Sequence, residues 1–219
     1  MKLSPRTILL ALALAAAVGR AAAAPAAGSG SPQLSGDDQK DVARIVDYLQ
    51  GLGSARSRFI QTDARGAQTE GTFYLQRPGR ARFEYDPPSG LVIASDGHNV
   101  TVVDRRLKTR HVYPLGSTPL NILLAQTIRL DRGVAVRQVT REGGGVTVVA
   151  EDGRHKDRGQ IALAFSEAPL ALTGWAVKDG RGGVVKVRLA DLTRAPPHAA
   201  NFFEIPDPHK TPDPDSGTR

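Results

Sequence analysis

Arg77 is the residue whose placement asks most of its surroundings. It ends the apolar run of Phe73 and Leu75, stands directly before Pro78, and by strand parity shares a face with Phe73, Leu75, Ala81, Phe83 and Tyr85. A guanidinium stays charged and carries five donors, so on an inward apolar face it must find several acceptors or incur a large desolvation cost. The alternative is a strand-end arginine whose head snorkels into solvent. Neither role makes or breaks a covalent bond. His98, His111, His155, His198 and His209 are scattered, with no His-x-x-x-His or His-Glu pair at metal-ligand spacing, and read as surface or turn residues. There is no Gly-x-Ser-x-Gly elbow and no Gly-x-x-x-x-Gly-Lys loop, and the glycine run 143–145 lacks the helix that phosphate binding needs. Asp37 and Asp38 fall at a helix start, where the dipole favours negative charge, so helix stabilisation outranks acid-base work. No catalytic residue, metal site or cofactor is expected, and the chain reads as a binding protein.

The N-terminus has the pattern of an export signal. Lys2 and Arg6 give a basic start, residues 8–18 an unbroken apolar run, and residues 20–27 a small-residue zone. The apolar run is too short to span a bilayer, which needs roughly 20 residues. Cleavage is expected between Ala22 and Ala27, leaving a soluble periplasmic protein; no cysteine follows the run, so no lipid is attached there. With no cysteine at all, disulfides, redox thiols and thiolate metal sites are excluded, and stability rests on packing. About 190 residues remain, enough for one domain with a substantial core. Without Lys2, Arg6 and Arg20 the 29 basic residues fall to 26 against 22 acidic, so the remaining charge is +4. Arg105, Arg106, Lys108 and Arg110 alternate with Asp96 and Asp104 as on a solvated strand face, and nucleic acid is not an expected partner.

The elements that must position these residues follow from periodicity. Residues 25–36 are Ala, Gly, Ser and Pro, a flexible leader. A helix follows: Ser35 with Asp38 forms an N-terminal cap, Val42, Ile45, Val46 and Leu49 recur at helical spacing, and Gly51 and Gly53 stop it. From Ser54 to Tyr113 the period changes to two, in about six short strands joined by hairpins at Asp96-Gly97 and near residues 105–108. Thr118-Pro119 opens a second helix, with Thr118 accepting from orphan amides, Pro119 at the first helical position, and Leu120, Leu123 and Leu124 as an apolar face. Period two returns from Val134 to Leu192, placing Ile161, Leu163 and Phe165 on one face, then Trp175 with Val177, then Val185, Val187 and Leu189. Phe202, Phe203 and Ile205 form one last apolar patch before a Pro- and Asp-rich tail. The order implies a single long antiparallel sheet that curls, with an apolar concave side and helices to cover one opening.

The stretch from Phe59 to Leu124 resembles the LolA family of periplasmic lipoprotein carriers. The matching pieces are Phe59-Ile60-Gln61, Gly71 with Phe73 and Leu75, Arg77-Pro78, Phe83-Glu84-Tyr85 with Pro87, Ser95-Asp96-Gly97 and Thr118-Pro119-Leu120, in family order. The leading helix and the closing 201–206 segment match too, whereas residues 134–192 match only in strand pattern. The resemblance implies a mainly β fold, a half-open antiparallel barrel of about 11 strands lidded by about three helices. It divides the chain into a signal peptide (1–26), a leader (27–36), a carrier domain (37–206) and a disordered tail (207–219). It implies that Arg77 holds the lid shut through backbone carbonyls of the helical lid. Two aromatic positions that follow the Arg-Pro pair in the family fall on Ala81 and Phe83, so the first aromatic is absent.

The resemblance also implies a monomer that carries acyl chains of lipoproteins from an ATP-driven inner-membrane releasing complex to the outer-membrane acceptor LolB or its equivalent. The expected cavity wall is Phe73, Leu75, Phe83, Tyr85, Leu91, Ile93, Val102, Leu163, Phe165 and Trp175, left partly vacant for guest hydrocarbon. Ile45, Leu49, Leu120, Leu123 and Leu124 are expected from the lid helices. For each of these residues taken singly, ordinary core packing is the competing role. Two other functions remain open at this point: a sensor or regulator on the same fold that binds lipids or lipoproteins, and a lipid hydrolase, which lacks a visible nucleophile and base.

Overall fold

The computed structural model describes residues 34–128, 134–153, 159–179 and 182–206. The expected signal peptide, most of the leader and the tail from residue 207 lie outside the described residues, as do His155 and His209.

Helix α1 (Gly36–Gly51) begins where Ser35 accepts from the Asp38 amide while the Asp38 carboxylate accepts from the Ser35 amide, a reciprocal capping box. Ile45 and Leu49, one turn apart, are fully buried, and each such side chain contributes about 1.5–3 kcal/mol relative to exposure. Val42 and Val46 lie beside them, partly buried against the same core.

Twelve antiparallel strands follow: β1 (Ser54–Thr62), β2 (Gln68–Gln76), β3 (Arg80–Tyr85), β4 (Leu91–Asp96), β5 (Asn99–Asp104), β6 (Thr109–Pro114), β7 (Val134–Glu142), β8 (Gly145–Asp152), β9 (Gln160–Glu167), β10 (Leu170–Lys178), β11 (Val184–Leu189) and the two-residue β12 (Thr193–Arg194). They form one sheet in the order β6-β5-β4-β3-β2-β1-β11-β10-β9-β8-β7, with β12 paired to β1. β1 therefore unites the two runs of hairpins, and β6 and β7 are left as edges, so the barrel is half open. The expected class holds, with eleven long strands and one short addition.

Alternation sets the two faces. In β3, Ala81, Phe83 and Tyr85 are buried while Arg80, Arg82 and Glu84 point outward. Gly71, paired with Phe59, lets the Phe59 ring lie across the strand, since a Cβ there would sit 2.7 Å from that ring and 2.2 Å from the Glu84 carbonyl oxygen. Strand β4 is buried on both faces, because the chain after β12 returns across the outside of the sheet. There Phe203, in the 3-10 turn Ala200–Phe203, is buried, Arg82 Nη1 donates to the Phe202 carbonyl at 2.8 Å, and the His198 ring stacks on Phe202. The C-terminal apolar patch thus covers an outer face.

The helical complement departs from expectation. Among the described residues there are two α-helices and two 3-10 turns, where about three helices were expected. The second helix, α2 (Leu120–Leu124), follows the 3-10 turn Leu115–Ser117 and spans five residues. The Thr118 hydroxyl donates to the Leu115 carbonyl instead of accepting from α2 amides, so it tightens the turn before the helix and caps nothing. Pro119 occupies the position before the first helical residue, with helical dihedrals already.

Candidate functional site

The concave face is covered from two sides. Helix α1 packs over β10 and its neighbours: the Leu172 amide donates to the Tyr48 hydroxyl at 3.1 Å, Tyr48 meets Phe165 edge-on, and Arg44 bridges Asp41 to Glu167. Arg141 on the edge strand β7 holds the start of α1 through Asp38 and Asp41. Residues 115–128, carrying α2, cover the rest, with Leu115, Leu123, Leu124 and Ile128 buried.

Arg77 joins these two covers. Its Nη1 donates to the Leu49 carbonyl in the last turn of α1 through a short bond, and its Nη2 donates to the Ala125 carbonyl after α2 at 2.6 Å and to Gln50 Oε1 at 3.2 Å. Gln50 Oε1 in turn accepts from the Ile128 amide, and the Gly79 amide donates to the Leu124 carbonyl at 2.8 Å. Both carbonyls that Arg77 meets lie at the C-terminal ends of the two helices, where the dipole favours a cation, and the Leu49 carbonyl also accepts from the Leu52 amide at 3.2 Å. Burial pulls the guanidinium's pKa below its ordinary value, and among the described residues it has no carboxylate partner. Its charge is met by carbonyl dipoles. Of the two roles open for an arginine here, the structure places the head group inward.

Beneath the covers the inner wall is an aromatic cluster. Phe73 lies 4.7 Å from Phe83 and 5.3 Å from Trp175, and Phe59 packs edge-on against both Phe83 and Tyr85. The Tyr85 hydroxyl donates to Gln61 Oε1 at 2.7 Å, and burial pushes its pKa up. Among the described residues a cavity of about 40 Å³ lies between this wall and the second cover. Phe83, Tyr85, Ile93 and Trp175 of the expected wall line it, together with Leu120 from the cover. Gln61, Thr118, Pro119, Val177, Val185 and Val187 also line it and were not among the expected wall residues. The three valines carried a usable signal, since they share the face of Trp175, and so did Gln61, two residues after Phe59 on the same strand.

Phe73, Leu75, Leu91, Val102, Leu163 and Phe165 do not line that space and are buried among other side chains, as are Ile45, Leu49, Leu123 and Leu124. With the covers in this position the cavity is small. Ala81, where an aromatic was missed, is itself buried and faces Leu75.

Among the described residues no group of three His, Cys, Asp or Glu side chains is placed to hold a metal ion, and no helix is long and apolar enough to cross a membrane. His98 and His111 are exposed.

Comparison with known proteins matches residues 50–206 to the family described as outer membrane lipoprotein carrier protein LolA. An outer-membrane lipoprotein carrier protein of Methylobacillus flagellatus is 30% identical over 175 residues, covering 75% of this chain and 83% of its own. One of Cupriavidus taiwanensis is 25% identical over 178 residues, covering 75% and 83%. Among solved structures, a LolA superfamily protein from Nitrosomonas europaea matches with a TM-score of 0.43 at 11% identity, covering 74% of this chain and 97% of that one.

Proposed function

Because the chain belongs to the LolA family of outer membrane lipoprotein carrier proteins, we propose that it is a periplasmic, non-enzymatic carrier that shelters lipoprotein acyl chains under a hinged cover and releases them to an outer-membrane acceptor. The observation that carries this reading is Arg77. A single guanidinium holds the ends of both covers by hydrogen bonds to carbonyls, each of which can be broken and remade without chemistry.

Acyl chains need such a shelter. Each methylene withdrawn from water is worth about 0.8 kcal/mol, so a multiply acylated protein leaves a bilayer only if an apolar site receives its chains. Cargo enters by displacing the 115–128 segment from the wall formed by Phe83, Tyr85, Ile93 and Trp175. Leaving the latch costs about 1.5–3 kcal/mol for each hydrogen bond made by the charged group. That cost lowers cargo affinity toward the range in which an acceptor can take over. On this reading the donor is an ATP-driven inner-membrane complex, the acceptor is LolB or its equivalent, residues 1–26 direct export, and the carrier works as a monomer.

The test is a two-step transfer. The processed protein is incubated with inner membranes that release a labelled lipoprotein, and the resulting complex is mixed with outer membranes. Soluble lipoprotein in the first step and its loss to the outer membranes in the second are expected. Absence of both overturns the reading.

A further inference from the structure

We infer that the β5–β6 hairpin is a docking surface for an anionic bilayer. Among the described residues only two large hydrophobic side chains are left substantially exposed, Leu107 and Val112, each 44% exposed. Both belong to this one hairpin. Residues 105–110 around them carry Arg105, Arg106, Lys108 and Arg110, all exposed, and Asp104 is the single carboxylate from 104 to 112.

The apex is held in shape. Asp104 Oδ1 accepts from the Arg106 and Leu107 amides at 2.9 and 3.0 Å, so the carboxylate is turned inward to its own loop. Lys108 takes the left-handed conformation, with φ 53°, that closes the turn. The Arg105 amide donates to the Gly90 carbonyl, and Arg106 Nη1 donates to the Pro88 carbonyl at 2.9 Å, which ties the hairpin to the loop between β3 and β4. These bonds leave Leu107 presented at the tip with Arg105 and Lys108 beside it and no second acid on the hairpin, while Arg110 Nη2 donates to the Ile205 carbonyl at 3.5 Å.

The chemistry of the patch selects the partner. Two isolated apolar side chains among long cations offer far less than the roughly 800 Å² per partner, with an apolar core, that a stable protein interface requires. A layer of anionic headgroups needs no shape complementarity: it attracts each cation and accepts one leucine at the interface. Position adds to this. β3 ends at Tyr85 and β5 at Asp104, so the hairpin apex stands at the same end of the sheet as Tyr85 and Gln61 of the small cavity. Docking by this tip brings that end of the barrel to the bilayer. The inference goes beyond the carrier reading and does not depend on it, because the patch lies on the outside of the hairpin and involves neither Arg77 nor the cavity wall.

The experiment is co-sedimentation of the processed protein with vesicles of phosphatidylcholine alone and with phosphatidylglycerol added. Partition onto the anionic vesicles, weakening as salt is raised, is expected. A cation near such a surface is worth about 1 kcal/mol, roughly fivefold in partition, so the double variant Arg105→Glu with Lys108→Glu should lower partition at least tenfold. Leu107→Ser should lower it severalfold with the salt dependence unchanged. All three substitutions are on the surface, so thermal melting should match the wild type, and lipoprotein uptake in solution should be retained, which separates this outcome from failure of the carrier reading. Equal partition onto neutral and anionic vesicles, unaltered partition of the double variant, or capture by soluble polyglutamate with none by vesicles each overturns it.

Discussion

Arg77 Nη2 lies 2.6 Å from the carbonyl oxygen of Ala125, 48 residues further along the chain, while Nη1 of the same guanidinium reaches the Leu49 carbonyl. One side chain on the inner face of the sheet therefore bonds to both covers. Arg77→Leu removes every one of these bonds and leaves the strands intact. The 115–128 segment should open more readily by about 1.5–3 kcal/mol, the range for losing the one charged hydrogen bond that Arg77 makes to it. Hydrogen exchange at the Leu124 to Ile128 amides reads this directly: faster exchange there, with the amides of β1 and β2 protected as before, is expected. Arg77→Lys should fall between, since a lysine presents a point charge in place of a fork. Unchanged exchange in the leucine variant would remove the latch from the proposal.

Gly79 gives an independent handle on the same corner. It has φ 77°, its amide donates to the Leu124 carbonyl, and an added Cβ would lie 2.7 Å from the Gly97 Cα. Gly79→Ala must shift backbone, so a loss of about 1–3 kcal/mol in stability is expected. Because the shift displaces the donor to Leu124, exchange at residues 124–128 should rise with it. Chemical denaturation measures the first effect, and a variant as stable as the wild type contradicts the packing described.

The half-open sheet was legible because each hairpin announces itself twice, by alternation and by its turn. Asp96-Gly97 and residues 105–108 are examples, and the six strands from Ser54 to Pro114 fall where period two places them. The helices were less legible. α1 has four apolar positions at helical spacing and a capping box, whereas α2 is five residues long and rests on tertiary contacts, so the role of Thr118 was misread. Arg77 stood out through its parity and its proline; what it would touch did not, since a backbone carbonyl carries no sequence signature. Nor does alternation separate a residue that lines a space from one that fills it. Leu163 and Phe83 both face inward, and only the path of residues 115–128 makes one core and the other wall.

Tyr85 ties stability to alkaline pH. Its hydroxyl is buried against Gln61, and burial raises its pKa above the unfolded value of about 10. A group raised in the folded state contributes stability that is intact below the unfolded pKa and is lost as pH rises from there toward the folded pKa. Above about pH 10 this tyrosine alone should lower stability by roughly 1.4 kcal/mol per pH unit. Tyr85→Phe should be less stable at neutral pH by about 0.5–1.5 kcal/mol, through the lost bond to Gln61, and should show a flatter alkaline limb. Denaturation midpoints measured between neutral and strongly alkaline pH test this; parallel limbs for both proteins would exclude Tyr85 as their source.

Leu163 and Leu120 separate core from cavity wall. Leu163 is fully buried, on the concave side of β9 and away from the small cavity, so Leu163→Ala should cost about 2–5 kcal/mol by leaving a void. Uptake of a fluorescent acyl chain per folded molecule should be unchanged. Leu120 is only partly buried, opens α2 and lines the cavity. Leu120→Ser should alter stability by less than the core variant does, yet it removes an apolar contact worth about 1.5 kcal/mol or more to bound hydrocarbon, which is roughly tenfold in affinity. Calorimetric melting paired with acyl-chain titration distinguishes the two. If Leu163→Ala impaired uptake while Leu120→Ser left it untouched, cargo would lie under α1 instead, and the segment that must move would be the helix held by Arg44 and Arg141.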